Sequence, residues 1–484
     1  MESDSASACA LAAESRPLSI TFTRPLGTIT CLAGSDIFAI ISSLLLALLL
    51  RDGLLHSTAA LSLRTMLVSV VLVLCSLMAA GLYPGLTINP VEELRRSTLS
   101  VMVAYLALLA ATFLLHDLSE SRLTYVFSCT ITALCVPIFR TITRNVFSGY
   151  QWWGSPVAIL GFGHTGKTLL ETLLNNRRIG LRPVAVLDDD PEEYLDAHPS
   201  LIRGPLSRCR DITHEKKISY GIICMPELSR DDLLDRIDQY GPCFGHLLVI
   251  PNLIGMTSLG ISAKEVGGIV GLEVKRELLR RSSRIAKRTL DISITLAAAP
   301  FILLLIAIFA LLAKLEGKGP VFYPNERIGY RGRKFNAWKL RSMVVNADEV
   351  LREYLEKDPD LTAEWERTQK LRSDPRLTRI GKIIRKTSID ELPQFWNVLI
   401  GEMSVVGPRP VLEQQVKLYG PGFSLYTQVR PGITGLWQVS GRNRLSFAER
   451  VRLDRYVIQN WSVWLDIYIL ARTAGVVLTA DGAY

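Results

Sequence analysis

Hydrophobic and polar positions along this chain fall into three regimes. After a polar, Ser/Ala-rich stretch over residues 1–28, four apolar runs follow at roughly 32–50, 64–83, 98–115 and 123–143. Each is close to the ~20 residues that a helix needs to cross bilayer hydrocarbon. The second regime spans residues 156–253, where short apolar runs alternate with amphipathic stretches. Val157-Ala-Ile-Leu leads into Gly161-Phe-Gly163-His-Thr-Gly166 and then a helical stretch. Further strands are expected at 183–188, 220–225 and 247–251, with an amphipathic helix near 230–239. This alternation predicts a parallel, Rossmann-like α/β layer. The third regime opens with a basic linker and a fifth apolar run, Leu290 to Leu312, and continues polar and mixed. Within it, 346–371 has a charged helical pattern interrupted at Pro359. Residues 462–478 read as a helix packed on the domain or lying at a membrane surface.

Charge placement orients these segments. The 83–97 loop carries Arg95 and Arg96, and Arg140 and Arg144 close the fourth run, whereas 116–122 has one basic residue and 51–64 is ambiguous. The positive-inside rule then puts the N-terminus, the 83–97 loop and everything after 144 in the cytoplasm. The fifth run is basic on both flanks, with Arg280, Arg281, Arg284, Lys287 and Arg288 before it and Lys314 and Lys318 after it. A straight span cannot keep both flanks on one side. Pro300, mid-run, removes a backbone hydrogen bond and bends a helix. The expectation is a re-entrant helix over 289–313, kinked at Pro300, that dips into the inner leaflet and returns. The alternative is an ordinary fifth span, which would place the C-terminal third outside.

The predicted fold class is a membrane protein of α + α/β type. It comprises a polar tail (1–28), a four-helix transmembrane bundle (29–148), a Rossmann-like domain (151–253), a basic linker (254–286) and a mainly helical catalytic domain (287–484). The 484 residues carry a net charge of +9 and are 49% hydrophobic. Such a balance favours anionic lipid heads or phosphorylated substrates over nucleic acid. No basic region precedes an apolar core in the first 28 residues, so no cleavable signal peptide is expected. The eight cysteines show no metal-ligand spacing, which points to reduced thiols rather than zinc or disulfides.

Two motifs carry candidate chemistry. Gly161, Gly163 and Gly166 follow a strand, and Asp188 ends the next strand 22 residues past Gly166, a nucleotide-binding pattern. The segment is short and lacks a Tyr-x-x-x-Lys pair, which favours a degenerate structural or regulatory domain over a working dehydrogenase. The second motif is Thr387-Ser-Ile-Asp390-Glu391-Leu-Pro-Gln394. No His or Cys occurs from Gly255 onward, so carboxylates are the natural groups for covalent or acid–base chemistry here. Arg385, Lys386 and Arg409 around the Asp390–Glu391 pair suggest phosphate chemistry with a metal held by one acid. Ser388-x-x-Glu391 also reads as a capping box, with Pro393 at an early helical position. Arg385 and Arg409 suit fork-like phosphate contacts; Lys339, Arg376 and Arg442 are phosphate ligands or solvated charges. Trp437 could stack on a base or sugar, or pack in the core.

Six ordered motifs then carry a family resemblance. They are Lys287-Arg-x-x-Asp291, Gly319-Pro-Val-Phe, Lys339-Leu-Arg-Ser-Met343, the 387–394 segment, Gly407-Pro-Arg-Pro410 and Arg430-Pro-Gly-Ile-Thr-Gly-Leu-Trp-Gln-Val-Ser-Gly-Arg442. The C-terminal region resembles the bacterial sugar transferases that act as polyprenol-phosphate phosphoglycosyl transferases. The spans and Rossmann-like insert resemble the large form of that family. Ala363-Glu-Trp-Glu to Asp374-Pro-Arg and the ending Asp481-Gly-Ala-Tyr484 are most similar to undecaprenyl-phosphate galactose phosphotransferases. The resemblance implies transfer of a hexose-1-phosphate from a UDP-sugar to undecaprenyl phosphate with release of UMP, at the cytoplasmic face of a bacterial inner membrane. It implies Asp390 as nucleophile and Glu391, with Asp390 beside it, as the Mg²⁺ site. Lys339, Arg341, Arg376, Arg385, Arg409 and Arg442 become the implied substrate-phosphate contacts. The bilayer is the expected partner, and a homodimer through the spans or the 156–253 domain is a candidate assembly. Competing readings are a glucose-1-phosphate transferase, a nucleotide-sugar dehydratase or epimerase, and a non-catalytic scaffold. Two positions depart from the family pattern: Ala299 stands where Ser usually precedes Pro300, and Asn325 where Gln is usual.

Overall fold

The computed structural model describes residues 25–55, 63–114, 122–195, 197–250, 261–266, 269–274, 277–357, 362, 374–441 and 445–479. Residues 1–24, the helix interruption at Pro359, Ala363-Glu-Trp-Glu, Arg442 and the ending 481–484 lie outside them. The chain forms two units, Met1–Met256 and Thr257–Tyr484.

The first unit begins with helices α1 (Leu26–Leu55), α2 (Leu63–Ala79), α3 (Pro90–Leu114) and α4 (Arg122–Phe147). Ile40, Leu44, Val73, Leu77, Val101, Tyr105 and Val136 form their shared core. Leu49, Leu67, Val103, Leu106, Leu134 and Ile138 are exposed on the outside. A bundle apolar both inside and out suits hydrocarbon rather than water. α1, α3 and α4 are long and apolar enough to cross a membrane; α2, at 17 residues, is shorter. Small polar groups bind the helices together: Tyr105 Oη lies 2.7 Å from Ser128 Oγ and 3.2 Å from Thr132 Oγ1.

Arg140 and Arg144 correct the sequence reading. Both belong to α4 and both are buried. Arg140 Nη2 sits 2.7 Å from Asp36 Oδ2 and its Nη1 3.2 Å from Glu93 Oε1; Arg144 Nη2 is 3.1 Å from the same Glu93 oxygen. Their charge is neutralised inside the bundle, so they are weak topological signals compared with exposed loop arginines. Arg144 also donates to Arg178 O at 3.3 Å, and Thr87 N–H to Ile179 O at 3.0 Å. These bonds fasten the bundle to the α/β layer that follows.

That layer is a five-stranded, all-parallel sheet. In chain order its elements are β1 (Ser155–Leu160), α5 (His164–Asn175), β2 (Leu181–Leu187), β3 (Ile202–Gly204), α6 (Cys209–Lys216), β4 (Tyr220–Ile223), α7 (Arg230–Tyr240) and β5 (His246–Val249). The spatial order is β3-β2-β1-β4-β5, the crossover pattern of a doubly wound fold. Every residue of β1 is buried, as expected for a central strand covered on both faces. The short β3 and α6 were not anticipated; the three residues of β3 carry too little pattern to register.

In the second unit, β6 (Ile261–Val266) and β7 (Ile269–Val274) form an antiparallel hairpin within the segment read as linker. Helix α8 (Arg281–Glu316) is 36 residues long and is helical through Pro300. Leu296, Phe301, Leu303, Leu304 and Leu311 along its middle are exposed. Its two ends carry its contacts with the rest of the unit. Near the start, Lys287, Asp291 and Thr295 are buried, and Arg288 donates to Val398 O at 2.5 Å and Leu399 O at 2.9 Å. Near the finish, Ala313 is buried and Glu316 accepts from Ile380 N–H at 3.1 Å. The rest of the unit is a hairpin of β8 (Phe322–Ile328) and β9 (Lys334–Leu340), helices α9 (Ala347–Lys357), α10 (Arg379–Lys386) and α11 (Gln394–Ile400), a two-strand parallel pair of β10 (Ser404–Val406) and β11 (Gly432–Thr434), and helices α12 (Phe447–Gln459) and α13 (Val463–Thr479).

Candidate active site

The acidic pair sits on a single 3₁₀ turn, Ile389–Glu391, between α10 and α11. Thr378 starts α10 by accepting from Gly381 N–H at 2.9 Å. Gly381 has no alternative, because a Cβ there would lie 1.9 Å from Ser342 O. Arg385 and Lys386 end α10, where cations favour the helix dipole. The chain then reverses at Ser388, which takes a left-handed φ of 58°. The capping box does not form: Ser388 makes no side-chain cap bond, and Pro393 precedes α11 rather than lying inside it. Glu391 turns instead toward Lys339.

Lys339, near the end of β9, joins both acids. Its Nζ is 3.2 Å from Asp390 Oδ2 and 2.8 Å from Glu391 Oε1. The spacing depends on Asn397, which is fully buried and missing from the sequence reading. Its amide donates to Asn336 O at 2.8 Å and to Glu402 Oε2 at 2.6 Å, and its oxygen accepts from Trp338 N–H at 3.2 Å. Those bonds bolt α11 to β9 and hold the acids against the lysine. A buried Asn in a helix following an acidic motif was the available signal, but one sequence cannot distinguish it from a surface Asn.

Burial pushes the Asp390 carboxyl above its usual range; Lys339 opposes this and Glu391 reinforces it. Burial works to strip Lys339 of its proton, but Glu391 and Asp390 outweigh it and hold the ammonium above its ordinary value. For any role that needs the Asp390 anion, the sign is set. As pH falls, Asp390 takes up a proton earlier than a free carboxylate, and the acid limb of kcat/KM should lie above the ~3.9 of a model Asp. A pH–rate profile checks this; a limb at or below that value would contradict the burial of Asp390.

A small pocket opens beside the pair, lined by Arg327, Lys339, Glu391, Gln394, Arg409 and Gln438 among others. Asp390, the more buried acid, lies behind this wall. Arg327 was not among the expected site residues. Burial and repulsion from Arg409 bring its guanidinium down to about 10, still charged near neutrality. Two arginines, a lysine and two amides around one carboxylate make a socket for anionic oxygens.

Trp437 is settled as a core residue, 2% exposed, with the guanidiniums of Arg409 at 5.2 Å and Arg450 at 4.6 Å over its ring. It positions Arg409 by cation–π contact. Asp454 supports the same arginine from below. It is buried and accepts from Tyr419 Oη at 2.5 Å. Burial pushes the Asp454 carboxyl up to about 7, against the pull of Tyr419, Arg409 and Arg450. Its folded value thus exceeds the ~3.9 of an unfolded Asp. The folded state binds the extra proton, so this stabilisation is complete below about pH 4 and is lost as pH rises toward 7. Asp454→Asn should therefore flatten the fall in melting temperature across that window; an unchanged slope would mean that another group causes it.

The other expected contacts separate by location. Arg385 donates to Ser342 Oγ at 3.1 Å and lies 3.8 Å from Asp374, on the turn side of the acids. Arg376 is buried and pairs with Asp374 through both Nε and Nη2 at 2.8 Å, which makes it a brace of its segment. Arg341 donates to Ala313 O, to Gly317 O at 2.7 Å and to Lys318 O at 3.0 Å, capping the end of α8. In the first unit, Gly161 and Gly166 are required by packing: a Cβ would lie 2.5 Å from Met225 Cγ and 2.3 Å from Gly161 O respectively. Gly163 faces open space. Asp188, the residue that would read a ribose, instead accepts from Phe162 N–H at 2.6 Å and Asp190 N–H at 2.9 Å. Its carboxylate ties the glycine turn to β2.

The sequence profile of the bacterial sugar transferases matches residues 282–480, from the start of α8 to the end of α13. The chain is 37% identical over 369 residues to the UDP-galactose-lipid carrier transferase of Erwinia amylovora, covering 75% of this chain and 76% of that one. It is 35% identical over 404 residues to the undecaprenyl-phosphate galactose phosphotransferase of Salmonella typhimurium, covering 81% and 82%. This chain belongs to the bacterial sugar transferase family. A more distant relative is the UDP-glucose:undecaprenyl-phosphate glucose-1-phosphate transferase of Klebsiella pneumoniae, 28% identical over 384 residues, or 77% of this chain and 78% of that one. The sugar transferase is an enzyme and a membrane protein, and its family region contains the whole Asp390 site.

Proposed function

We propose that this sugar transferase moves galactose-1-phosphate from UDP-galactose to undecaprenyl phosphate and so starts a surface or secreted polysaccharide. The observation that carries this is the Asp390–Glu391 pair clamped by Lys339 at an arginine-lined pocket. In the first step an Asp390 oxygen attacks the phosphorus that bears the sugar, and the bond to the UMP oxygen breaks. In the second, an oxygen of the lipid phosphate attacks the same phosphorus and Asp390 leaves as carboxylate. Splitting the transfer lets a soluble donor and a lipid acceptor use one site in turn. Arg327 and Arg409 offer forks to the diphosphate, and Lys339 favours the ionised Asp390 before each first attack.

Asp390 and Glu391 are hard oxygen ligands of the kind Mg²⁺ accepts. Among the described residues they have no third acidic, His or Cys neighbour to complete a cage. That fits an ion that shares its shell with substrate phosphate. When bound there, Mg²⁺ would neutralise charge on the departing UMP.

Both ends of α8 are hydrogen-bonded to the same unit, while its middle is apolar and exposed. From Arg288 to Ala313 a straight helix would extend ~38 Å. Yet the groups that hold its two ends, Val398 and Leu399 of α11 and Arg341 just past β9, lie in neighbouring segments that Asn397 joins. This supports a helix that bends at Pro300, enters one leaflet and returns, with catalysis on the cytoplasmic face.

Galactose is favoured over glucose because two relatives named for galactose share 37% and 35% identity, against 28% and 32% for two glucose enzymes. UMP release from a panel of UDP-sugars, with Mg²⁺ or with EDTA, tests sugar and metal together. Preference for UDP-galactose and loss of release in EDTA are expected. Equal turnover of UDP-glucose would remove the sugar assignment, and full activity in EDTA the metal.

A further inference from the structure

A cavity of about 840 Å³ lies in the first unit, beside the amino-terminal ends of β1 and β2. The glycine turn is at the opposite end of β1, a strand of six residues and hence ~20 Å long. The cavity is therefore separate from the nucleotide fingerprint, and it lies in a different unit from Asp390. Its volume is in the range of small-molecule sites, roughly 300–1,000 Å³.

Its lining is one-sided in charge. Arg177, Arg182, Arg203, Arg208 and Lys216 line it, and none of its described lining residues is acidic. Lys216 pairs with Glu215 at 2.6 Å. Arg177 and Arg182 donate to the backbone oxygens of Gly149 and Gln151, which carry no countercharge. Burial lowers the basicity of Arg182, and no carboxylate offsets it.

Two lining residues also carry a buried donor with no partner among the described residues. Trp153 is 3% exposed, and its Nε1–H has no partner. Arg182 Nε is likewise buried without one. Buried polar groups are nearly always satisfied, and an indole N–H can only donate. Several guanidiniums and no acidic residue among the described lining residues of one cavity suit a ligand rich in acceptor oxygens and negative charge. Phosphate meets that demand, since its oxygens accept forked bonds from arginine.

We infer that this cavity is a binding site for a phosphate-bearing anion. Such an anion has two sources. The wall segment Ser148–Gln151 directly follows α4, which ends at Phe147, so an anionic lipid headgroup can approach from the bilayer. A soluble phosphate ester can approach from water.

The test uses the full chain and two substitutions, Arg182→Gln and Arg177→Gln. Arg177 is exposed, so its variant should fold even if the Arg182 variant does not. One arm measures equilibrium dialysis of labelled inorganic pyrophosphate against protein in phosphatidylcholine nanodiscs. The other measures phosphatidylglycerol retained on detergent-purified protein by native mass spectrometry. Pyrophosphate can also occupy the Asp390 pocket, so the readout is the difference between wild type and variant. Either variant should bind one of these probes roughly tenfold more weakly. Weakened pyrophosphate binding assigns a soluble ligand, and weakened phosphatidylglycerol retention a lipid headgroup. Unchanged binding of both probes by a folded Arg177→Gln protein overturns the site.

Discussion

Asp390→Asn should abolish UMP release and leave the protein folded. Asn keeps the shape of Asp and can still accept from Lys339 Nζ, now 3.2 Å from Asp390 Oδ2. What it cannot do is attack phosphorus, because an amide oxygen carries no full negative charge. A lost nucleophile costs on the order of a thousandfold or more in rate, since the oriented binding groups alone recover only part of the acceleration. The variant should also fail to trap a phosphosugar on the peptide that contains residue 390, a readout independent of turnover. Wild-type release from the Asn protein would end the covalent proposal.

The second large effect concerns stability. Lys287 Nζ lies 3.0 Å from Asp291 Oδ1 and 2.8 Å from Asp466 Oδ2, and all three side chains are buried. Asp291 also accepts from Ser404 Oγ at 2.8 Å and Val405 N–H at 3.1 Å, and Asp466 from Trp461 Nε1 at 3.1 Å. This knot joins the start of α8 to β10 and α13. Lys287→Ala leaves two buried carboxylates facing each other without a cation. Removing one partner of such a cluster costs about 3–5 kcal/mol, which should lower the melting temperature in detergent by roughly 10 °C. Adding Asp466→Asn should recover part of the loss, because it removes one orphaned charge. A melting temperature unchanged by Lys287→Ala would show that water reaches the cluster.

The same knot explains what part of the site could be read in advance. Lys287-Arg-x-x-Asp291 stood out as a motif, yet its spacing does not say whether it binds substrate or holds the fold. Lys287 and Asp291 are one helical turn apart, so they pair locally; Asp466, the third member, is far along the chain. Arg376 and Arg341 tell the same story. Each is a phosphate candidate by residue type, and each is engaged elsewhere, by Asp374 and by the carbonyls at the end of α8. Arg327 had no distinguishing neighbour in the chain and joins the pocket only because β8 pairs with β9. Asp454 was invisible for the same reason, since nothing local marks an acid as buried.

Local pattern alone was enough to locate the apolar helices, the strand–turn–helix at Gly161, the parallel character of the layer and the acidic pair at 390–391. Those features depend on hydrophobic period, run length and turn residues, which neighbouring positions determine. Only the tertiary structure decided which charges remain available. It buried Arg140 and Arg144 against Asp36 and Glu93, closed Asp188 onto its own turn, and set Lys339 between Asp390 and Glu391. The physical reason is that a charge is defined by its partners, and in each case a partner comes from another element.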